Sequence, residues 1–189
     1  MPSALVSTVG GSASNSYLSL AELASLADDG PGAAIVTAAT VADQTRALLQ
    51  ATTRLGYEAW TGVRVNQTQA LAWPRNYAVD PDKTNTNVGS TYARPYDLVT
   101  YLNATTIPDR IRSACAELAI AILRAGSSVD LFAFDASRYY TSAKVDVLEV
   151  AYRDALQAPK EDSLERYPRV MRAIRPLLDA RMNSVVQRA

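Results

Sequence analysis

Apolar residues recur at helical spacing in several separate stretches of the chain. The first of these follows Ser19 and Glu22, which have the spacing of a capping box, in which each side chain satisfies the other residue's backbone N–H. A glycine–proline pair at residues 30–31 then provides a strong stop signal. The pattern therefore predicts a helix from Leu20 to about Asp28.

Two further helices are predicted in the middle of the chain. One begins after Thr40, with Asp43 near its positively polarised N-terminus, and ends near Trp60. The other lies between Pro108, which suits a first helical position, and Gly126, which suits a stop. The buried face of this last helix is predicted from residues at helical spacing: Ile111, Cys115, Leu118 and Ile122.

Strand character appears only towards the C-terminal end. Residues 141–152 are rich in β-branched side chains, and their alternation slips near Leu148, which indicates a bulge or a turn. A charged linker over 157–166 leads to a last helix, which starts at Pro168 and is kinked or broken by Pro176. That helix is predicted to bury four apolar side chains: Val170, Ile174, Leu177 and Leu178.

These elements predict a mainly α fold: a small helical bundle with a β-hairpin or strand appendage and extended N- and C-terminal arms. Residues 1–14 are small and polar and are expected to form a flexible or partner-ordered arm. Residues 15–138 form the predicted helical core domain, which a polar insertion over 78–105 interrupts as an extended segment or loose hairpin. Residues 139–189 form the predicted strand, linker and C-terminal helix, and a chain ending near Gln157 is expected to keep its helical core.

Composition narrows the class of protein. The chain has 189 residues, 48% of them hydrophobic, which suits one soluble globular domain. Lys and Arg number 19, as do Asp and Glu, so the formal net charge is zero and a dedicated nucleic-acid binder is disfavoured. The first basic residue is Arg46, so no signal peptide is expected. The most apolar stretch is short, which indicates a core helix and no membrane partner.

The sequence offers little catalytic chemistry. It contains no histidine and a single cysteine, Cys115, which excludes Ser–His and Cys–His nucleophile pairs and zinc clusters of Cys and His. Cys115 lies on a predicted buried face and is interpreted as a small core residue. Two acidic pairs, at residues 28–29 and at Asp80 with Asp82, could hold a hard cation, but turns favour Asp for backbone reasons alone. We therefore expect no enzyme activity, cofactor or metal.

Trp60 and Trp73 allow two interpretations. With Arg64 and Arg75 nearby, the indoles could stack on the bases of single-stranded nucleic acid. Alternatively, both indoles close the core where the loop over 61–77 packs on the helices. The second interpretation is favoured because aromatic and basic residues do not alternate more widely, and it makes Trp73 and Pro74 structural anchors.

Several segments together resemble a known family. The most specific are Trp60-Thr61-Gly62-Val63-Arg64 and Gln69-Ala70-Leu71-Ala72-Trp73-Pro74-Arg75. Others are Asn15-Ser16-Tyr17-Leu18-Ser19-Leu20-Ala21-Glu22, Ala47-Leu48-Leu49-Gln50-Ala51-Thr52, Ile107-Pro108 with Glu117-Leu118-Ala119, Thr141-Ser142-Ala143-Lys144-Val145, and Tyr167-Pro168 with Leu177-Leu178. In these segments the chain resembles the phage family described as DnaT-like single-stranded-DNA-binding proteins, and is similar to the head-to-tail adaptors of tailed phages.

The resemblance implies a helical protein of the virion neck, made in the host cytoplasm, that forms a dodecameric ring beneath the portal. Its implied partners are the portal protein, further copies of itself, and a downstream neck, stopper or tail protein. Genomic DNA would pass through the ring without sequence-specific binding. Two alternatives stay open: a single-stranded-DNA-binding replication accessory protein, and a small structural or decoration protein elsewhere in the virion.

The C-terminal part, residues 139–189, is expected to make the main portal contact. Its strand has no obvious partner in the rest of the sequence, and an unpaired strand can add to a neighbouring sheet. The arginines of the last helix could pair with acidic groups on the portal or an adjacent subunit, or could form an ordinary solvated surface. The candidate contact residues are Lys144, Val145, Val147, Val150, Arg169, Arg172, Arg175 and Arg181.

Overall fold

The computed structural model describes residues 4–28, 30–83, 99–126, 142–145, 148–151 and 163–179. Within these ranges the fold is mainly α, as predicted. The helices are α1 (Leu20–Asp28), α2 (Ala33–Ala38), α3 (Val41–Gly56), α4 (Asp109–Ala125) and α5 (Pro168–Ile174). The strands form two antiparallel pairs, β1 (Val63–Arg64) with β2 (Arg75–Asn76), and β3 (Ser142–Val145) with β4 (Leu148–Ala151).

Helix α1 begins and ends where the sequence predicts. The backbone N–H of Ser19 donates to Glu22 Oε2 at 2.8 Å, and the backbone N–H of Glu22 donates to Ser19 Oγ at 3.3 Å. Both bonds satisfy N–H groups that lack a partner inside the helix. The capping box is therefore confirmed.

Helix α3 begins at its predicted cap but ends earlier than predicted. Thr40 Oγ1 accepts the backbone N–H of Asp43 at 3.1 Å. At the other end, the helix stops at Gly56, and the indole N–H of Trp60 donates to the carbonyl oxygen of Leu55 at 3.1 Å. The prediction of a helix reaching Trp60 is wrong because Trp60 folds back and satisfies a carbonyl that a longer helix would have used.

Helix α4 is the central element of the fold. It runs between Pro108, which occupies the N-cap position, and Gly126, whose φ of 98° ends the helix. Its main packing partners are α3 on one side and α5 on the other. The four predicted core positions on this helix are all buried: Ile111, Cys115, Leu118 and Ile122.

The segment predicted as a loop over 61–77 contains the short β1–β2 ribbon. Val63 pairs with Asn76, and Arg64 pairs with Arg75. Gly62 precedes the ribbon with φ of 72°, and a Cβ there would lie 2.3 Å from the carbonyl oxygen of Asn76. Only glycine combines this backbone conformation with so close an approach, so Gly62 sets the start of the ribbon.

The polar insertion has an antiparallel stem. Val79 pairs with Tyr101, the backbone N–H of Asp80 donates to Thr100 at 2.7 Å, and that of Leu102 donates to Ala78 at 2.8 Å. Of the two predictions for residues 78–105, an extended segment or a loose hairpin, the hairpin is the one observed where residues 78–80 pair with residues 100–102. Residues 84–98 lie outside the described residues.

The C-terminal part contains the predicted strand and helix. Strands β3 and β4 pair from Ser142 with Ala151 to Val145 with Leu148, so the change of alternation near Leu148 falls where one strand ends and the next begins. Helix α5 starts at Pro168, as predicted. It passes at Arg175–Leu177 into a 3₁₀ turn that contains Pro176, so the predicted break is also confirmed.

The C-terminal helix belongs to the same core as the helices before it. Leu164 and the four side chains predicted to be buried at the C-terminal end all lie in one apolar cluster with α1, α3 and α4. The chain after α5 is also fixed, because Asp179 N–H donates to Ala59 at 2.9 Å and Thr61 N–H donates to Leu177 at 3.0 Å. Helix α5 is thus part of the core, whereas residues 152–162 and 180–189 of the predicted C-terminal arm lie outside the described residues.

The described part of the N-terminal segment also folds back on the body. Asn15 N–H donates to the carbonyl oxygen of Val6 at 2.9 Å, and Val6 N–H donates to Asn15 Oδ1 at 2.7 Å. Gly11 accepts a hydrogen bond from the backbone N–H of Ala70 at 3.2 Å. Residues 4–14 are therefore held by hydrogen bonds within the chain, where the sequence predicted a flexible or partner-ordered arm.

Candidate interaction surfaces

The two tryptophans form one buried pair. Trp60 is 7% exposed and Trp73 1%, and their rings meet edge to face with centroids 5.7 Å apart. Pro74 is buried beside them. Base stacking needs an accessible ring face, and neither indole presents one. The structure thus places these residues in the core, which agrees with the favoured interpretation.

Arg75 is engaged with the backbone. Its guanidinium donates to the carbonyl oxygens of Thr61 at 2.7 Å and Gly62 at 2.6 Å, and more weakly to that of Ala72 at 3.3 Å. Burial lowers the pKa of this guanidinium from its ordinary value, and nearby Arg64 adds to the effect. Arg75 therefore fastens the ribbon to the tryptophan loop and has few donors left for a phosphate.

Cys115 is buried in a small polar cluster within the core. Its sulfur lies 3.6 Å from Thr52 Oγ1, which also accepts the backbone N–H of Tyr17 at 3.3 Å. Desolvation by burial raises the pKa of the thiol to about 12, although the contact with Thr52 acts in the opposite direction. Because the thiolate is the reactive form, this cysteine is a core residue and not a nucleophile.

The acidic pair at the insertion is used by its own surroundings. Asp80 is 6% exposed, and its Oδ1 accepts the backbone N–H of Asp82 at 3.0 Å. Asp82 accepts a hydrogen bond from Arg110 Nε at 3.0 Å, and this bond lowers the pKa of the carboxyl. Across the described ranges, no group of three or more Asp, Glu or Cys side chains could hold a metal ion. Of the other predicted pair, Asp28 is exposed and Asp29 lies outside the described residues.

Two exposed tyrosines lie beside the stem of the insertion. Tyr77 is 70% exposed and Tyr101 53%, and their rings meet edge to face at 6.0 Å. The charges near them are paired, Lys83 with Asp80 at 3.6 Å and Arg110 with Asp82. Sequence reasoning missed this aromatic patch because each tyrosine stands in a polar stretch, and only the pairing of the stem brings the two together.

The arginine face, defined as Arg169, Arg172 and Arg175, lies on the exposed side of α5 and the turn that follows it. Arg169 lies 3.6 Å from Glu117 of α4, and both side chains are substantially exposed. The opposite side of the helix is buried through Val170 and Ile174. The core thus fixes the direction in which the three arginines point.

A cleft adjoins the arginine face between α4, the start of α5 and the chain after α1. This α4–α5 cleft has a volume of about 560 Å³. Its apolar walls include Leu26, Ile120 and Val170. Its charged residues are Glu117, Arg124, Arg166 and Arg169, which give it a positive balance.

The remaining predicted contact residues lie apart from this surface. Lys144, Val145 and Val150 are on the β3–β4 hairpin, where Lys144 pairs with Glu149 across the strands. Beyond their pairing with each other, neither strand packs substantially against a described helix or against β1 and β2. Val147 and Arg181 lie outside the described residues. The structure thus brings together the helical arginines but does not join them to the hairpin.

Comparison with known proteins gives one family. Residues 4–189 match the family model described as "Putative DnaT-like ssDNA binding protein". The chain belongs to this family. No curated protein and no solved structure matches it. For the DnaT-like family member described here, no helix among the described residues is long and apolar enough to cross a membrane.

Proposed function

We propose that this DnaT-like family member is a structural head-to-tail adaptor of a tailed bacteriophage. In this role it is a ring subunit that joins the portal to the next neck or tail protein and extends the DNA channel. The proposal rests on the hairpin of β3 and β4, whose strands pair only with each other among the described elements, apart from marginal contacts. The segment-by-segment resemblance to phage adaptors is what suggests the virion neck as the assembly.

An isolated two-stranded hairpin is marginally stable in water. It gains stability when a neighbouring molecule covers one face or adds a strand to one edge. The core that the described residues form, by contrast, is built from side chains of α1 to α5 and the segments beside them. A helical body with a hairpin that packs on no described helix suits a subunit of a larger assembly.

The chemistry of the core supports a structural role. The single cysteine is buried, both tryptophans are packed against each other, and Arg75 is bound to carbonyl oxygens. Among the groups exposed at the described surface are the arginine face and the pair of Tyr77 and Tyr101, which suit binding to another macromolecule.

A second candidate function is single-stranded DNA binding, and the family description favours it. Among the described residues, the arginine face and the exposed pair of Tyr77 and Tyr101 are candidate surfaces for it, since the tryptophans are buried. A net charge of zero weakens the electrostatic attraction on which such binding depends.

One experiment separates the two functions. The full chain is mixed with portal particles of the same phage, and ring formation is followed by co-sedimentation and negative-stain microscopy. In parallel, anisotropy of a labelled oligo-dT measures DNA binding at low and moderate salt. We expect docking to the portal and only weak DNA binding that salt removes. Salt-resistant DNA binding without docking would instead establish the second function.

A charge-reversal variant locates the contact. Arg172→Glu with Arg175→Glu is expected to weaken docking while leaving the fold intact, because both side chains are exposed. Arg46→Glu with Arg64→Glu is the matched control, since it changes the net charge equally at exposed or half-exposed positions outside the arginine face. Equal docking by both variants would leave the arginines as ordinary surface charge.

A further inference from the structure

We infer that residues 4–15 form a latch that closes over the loop carrying Trp73 and opens as a unit while the helical core stays folded. Asn15 is the residue that holds this N-terminal latch shut. Opening frees the segment as an arm and uncovers the backbone of the loop beneath it. The inference concerns the free chain and does not depend on the adaptor function.

The side-chain amide of Asn15 binds the chain on both sides of Leu5. Its Oδ1 accepts the backbone N–H of Val6 at 2.7 Å, and its Nδ2 donates to the carbonyl oxygen of Ala4 at 2.8 Å. The backbone N–H groups of Asn15 and Ser16 both donate to Val6, at 2.9 and 3.2 Å. A primary amide carries a donor and an acceptor side by side, so it pairs with the backbone as a peptide group does. Asn15 thereby joins the two ends of the latch.

The tip of the latch is bonded to itself. The backbone N–H of Gly11 donates to Thr8 at 3.2 Å, across a turn in which Gly10 has φ of 68°. The backbone N–H of Ser14 donates to Gly11 at 3.4 Å, and Ser14 Oγ donates to the carbonyl oxygen of Thr8. A compact surface loop with its ends close together and its bonds internal tends to open as one cooperative unit.

Few apolar contacts attach the latch to the helical body. The backbone N–H of Ala70, in the loop that carries Trp73, donates to Gly11 at 3.2 Å. Leu5 is half-buried against the core, and every residue over 4–13 is exposed or half-buried. Because a segment with little buried apolar surface opens at a lower free energy than a packed helix, the latch can open without the core.

The chain directly after the latch is fixed, which places the hinge at Ser16. The backbone N–H of Tyr17 donates to Thr52 Oγ1 at 3.3 Å, and Ser16 Oγ donates to the carbonyl oxygen of Leu18 at 2.7 Å. Tyr17 and Leu18 are fully buried. Opening therefore stops at this anchor and leaves α1 in place. Fully extended, residues 4–14 span roughly 36–40 Å, so the freed arm reaches well beyond the loop that it covered.

Native-state hydrogen exchange followed by NMR tests the latch one amide at a time. The backbone N–H groups that are bonded across the closed latch are those of Val6, Asn15, Ser16 and Ala70. We expect them to exchange with a common free energy of opening, and about tenfold or more faster than the buried Leu118 N–H of α4 after correction for sequence. Unrelated exchange levels among them, or levels equal to that of Leu118, would overturn the inference.

Asn15→Ala removes both side-chain bonds and should raise the exchange rate of the Ala70 N–H several-fold. Ala70 is the decisive reporter because the substitution leaves its own partner, Gly11, untouched. Exchange at Leu118 and the thermal unfolding transition should stay close to those of the wild type. Asn103→Ala is the matched control, since it removes an asparagine that accepts a backbone N–H at 2.9 Å in an exposed turn. This control should leave exchange at Ala70 unchanged.

Asn15→Asp keeps an acceptor for the Val6 N–H and loses the donor to Ala4, so it should accelerate exchange less than Asn15→Ala does. Unchanged exchange at Ala70 in Asn15→Ala would show that Asn15 does not hold the latch shut. Equal acceleration at Leu118 would show that the substitution loosens the whole protein and not the segment alone. Either result overturns the inference.

Discussion

At the scale of single residues, Trp73 shows how one side chain can organise a loop. It is the largest fully buried side chain among the described residues, and it packs edge to face on Trp60. Its indole N–H has no hydrogen-bond partner in the described structure, so the ring contributes through packing alone. The neighbouring Arg75 holds the surrounding carbonyl oxygens.

Replacing Trp73 with Ala should destabilise the protein by about 3–5 kcal/mol, because it leaves a large cavity against Trp60. Trp73→Phe should cost less, since it keeps an aromatic ring in place and removes the unpartnered N–H. Urea unfolding followed by circular dichroism gives both free energies. A Trp73→Ala variant with unchanged stability but lost oligo-dT binding would show that the indole serves DNA and not the core.

At the scale of elements, the ends of the helices are set by side chains close in sequence. Ser19 and Glu22 cap α1, and Thr40 caps α3. Glu22 has a second partner that its own helix does not supply, because Arg112 of α4 donates to its Oε1 at 2.7 Å. This carboxylate therefore couples the start of α1 to the central helix.

The stability supplied by Glu22 should depend on pH. Hydrogen bonding from the Ser19 backbone N–H, together with Arg112, lowers the pKa of this carboxyl below its ordinary value. A carboxyl whose pKa is lower in the folded than in the unfolded state stabilises the protein at pH values above the unfolded-state pKa. This stabilisation is lost as the pH falls through the folded-state pKa. Because the group is largely exposed, Glu22→Gln should cost only about 0.5 kcal/mol at neutral pH.

That difference should vanish in acid, where the wild-type carboxyl is protonated as well. Urea unfolding of the two proteins at pH values from neutral to acidic measures it. Glu165→Gln, at an exposed position, is the control and should leave stability nearly unchanged. If Glu22→Gln and the wild type still differ in free energy of unfolding at acidic pH, the charge of the carboxylate is not the cause of the difference.

At the scale of the whole molecule, the core unites segments far apart in sequence. Helix α4 lies between α3 and α5, and Leu178 pairs with Trp60 as an isolated bridge. The arginine face and the α4–α5 cleft exist only because α5 packs on α4. Any contact made by this surface therefore depends on an intact C-terminal helix.

Deleting residues 163–189 should unfold the chain, in contrast to the expectation that a chain ending near Gln157 keeps its core. The deletion removes Leu164, Val170, Ile174 and Leu177, each buried. Burial of such a side chain contributes about 1.5–3 kcal/mol, against a total stability on the order of 5–15 kcal/mol. Loss of the thermal unfolding transition by circular dichroism would be the expected result.

Point substitutions within α5 separate packing from charge. Ile174→Ala should cost about 2–5 kcal/mol because the side chain is fully buried. Arg172→Ala, two residues earlier and exposed, should change stability by less than about 0.5 kcal/mol. A truncated chain with a wild-type melting transition would mean that α5 is a peripheral element.

The sequence by itself determined the features that depend on neighbours a few residues apart. The ends of α1, the start of α3, and the limits of α4 and α5 follow from caps, proline and glycine, which act within one helical turn. The buried face of α4 follows from its helical periodicity. Helix α2 escaped prediction because its six residues have no side-chain cap and too short a pattern to show a period.

Only the tertiary structure decided how these elements combine. Packing of α5 into the core, the return of residues 4–14 to the body, and the meeting of Tyr77 with Tyr101 all join residues that are distant in sequence. The spacing of Arg169, Arg172 and Arg175 was visible in the sequence, but the cleft beside them needs three separate segments. Local chemistry sets where a helix starts and stops, whereas burial of apolar surface between helices sets which surfaces remain exposed for a partner.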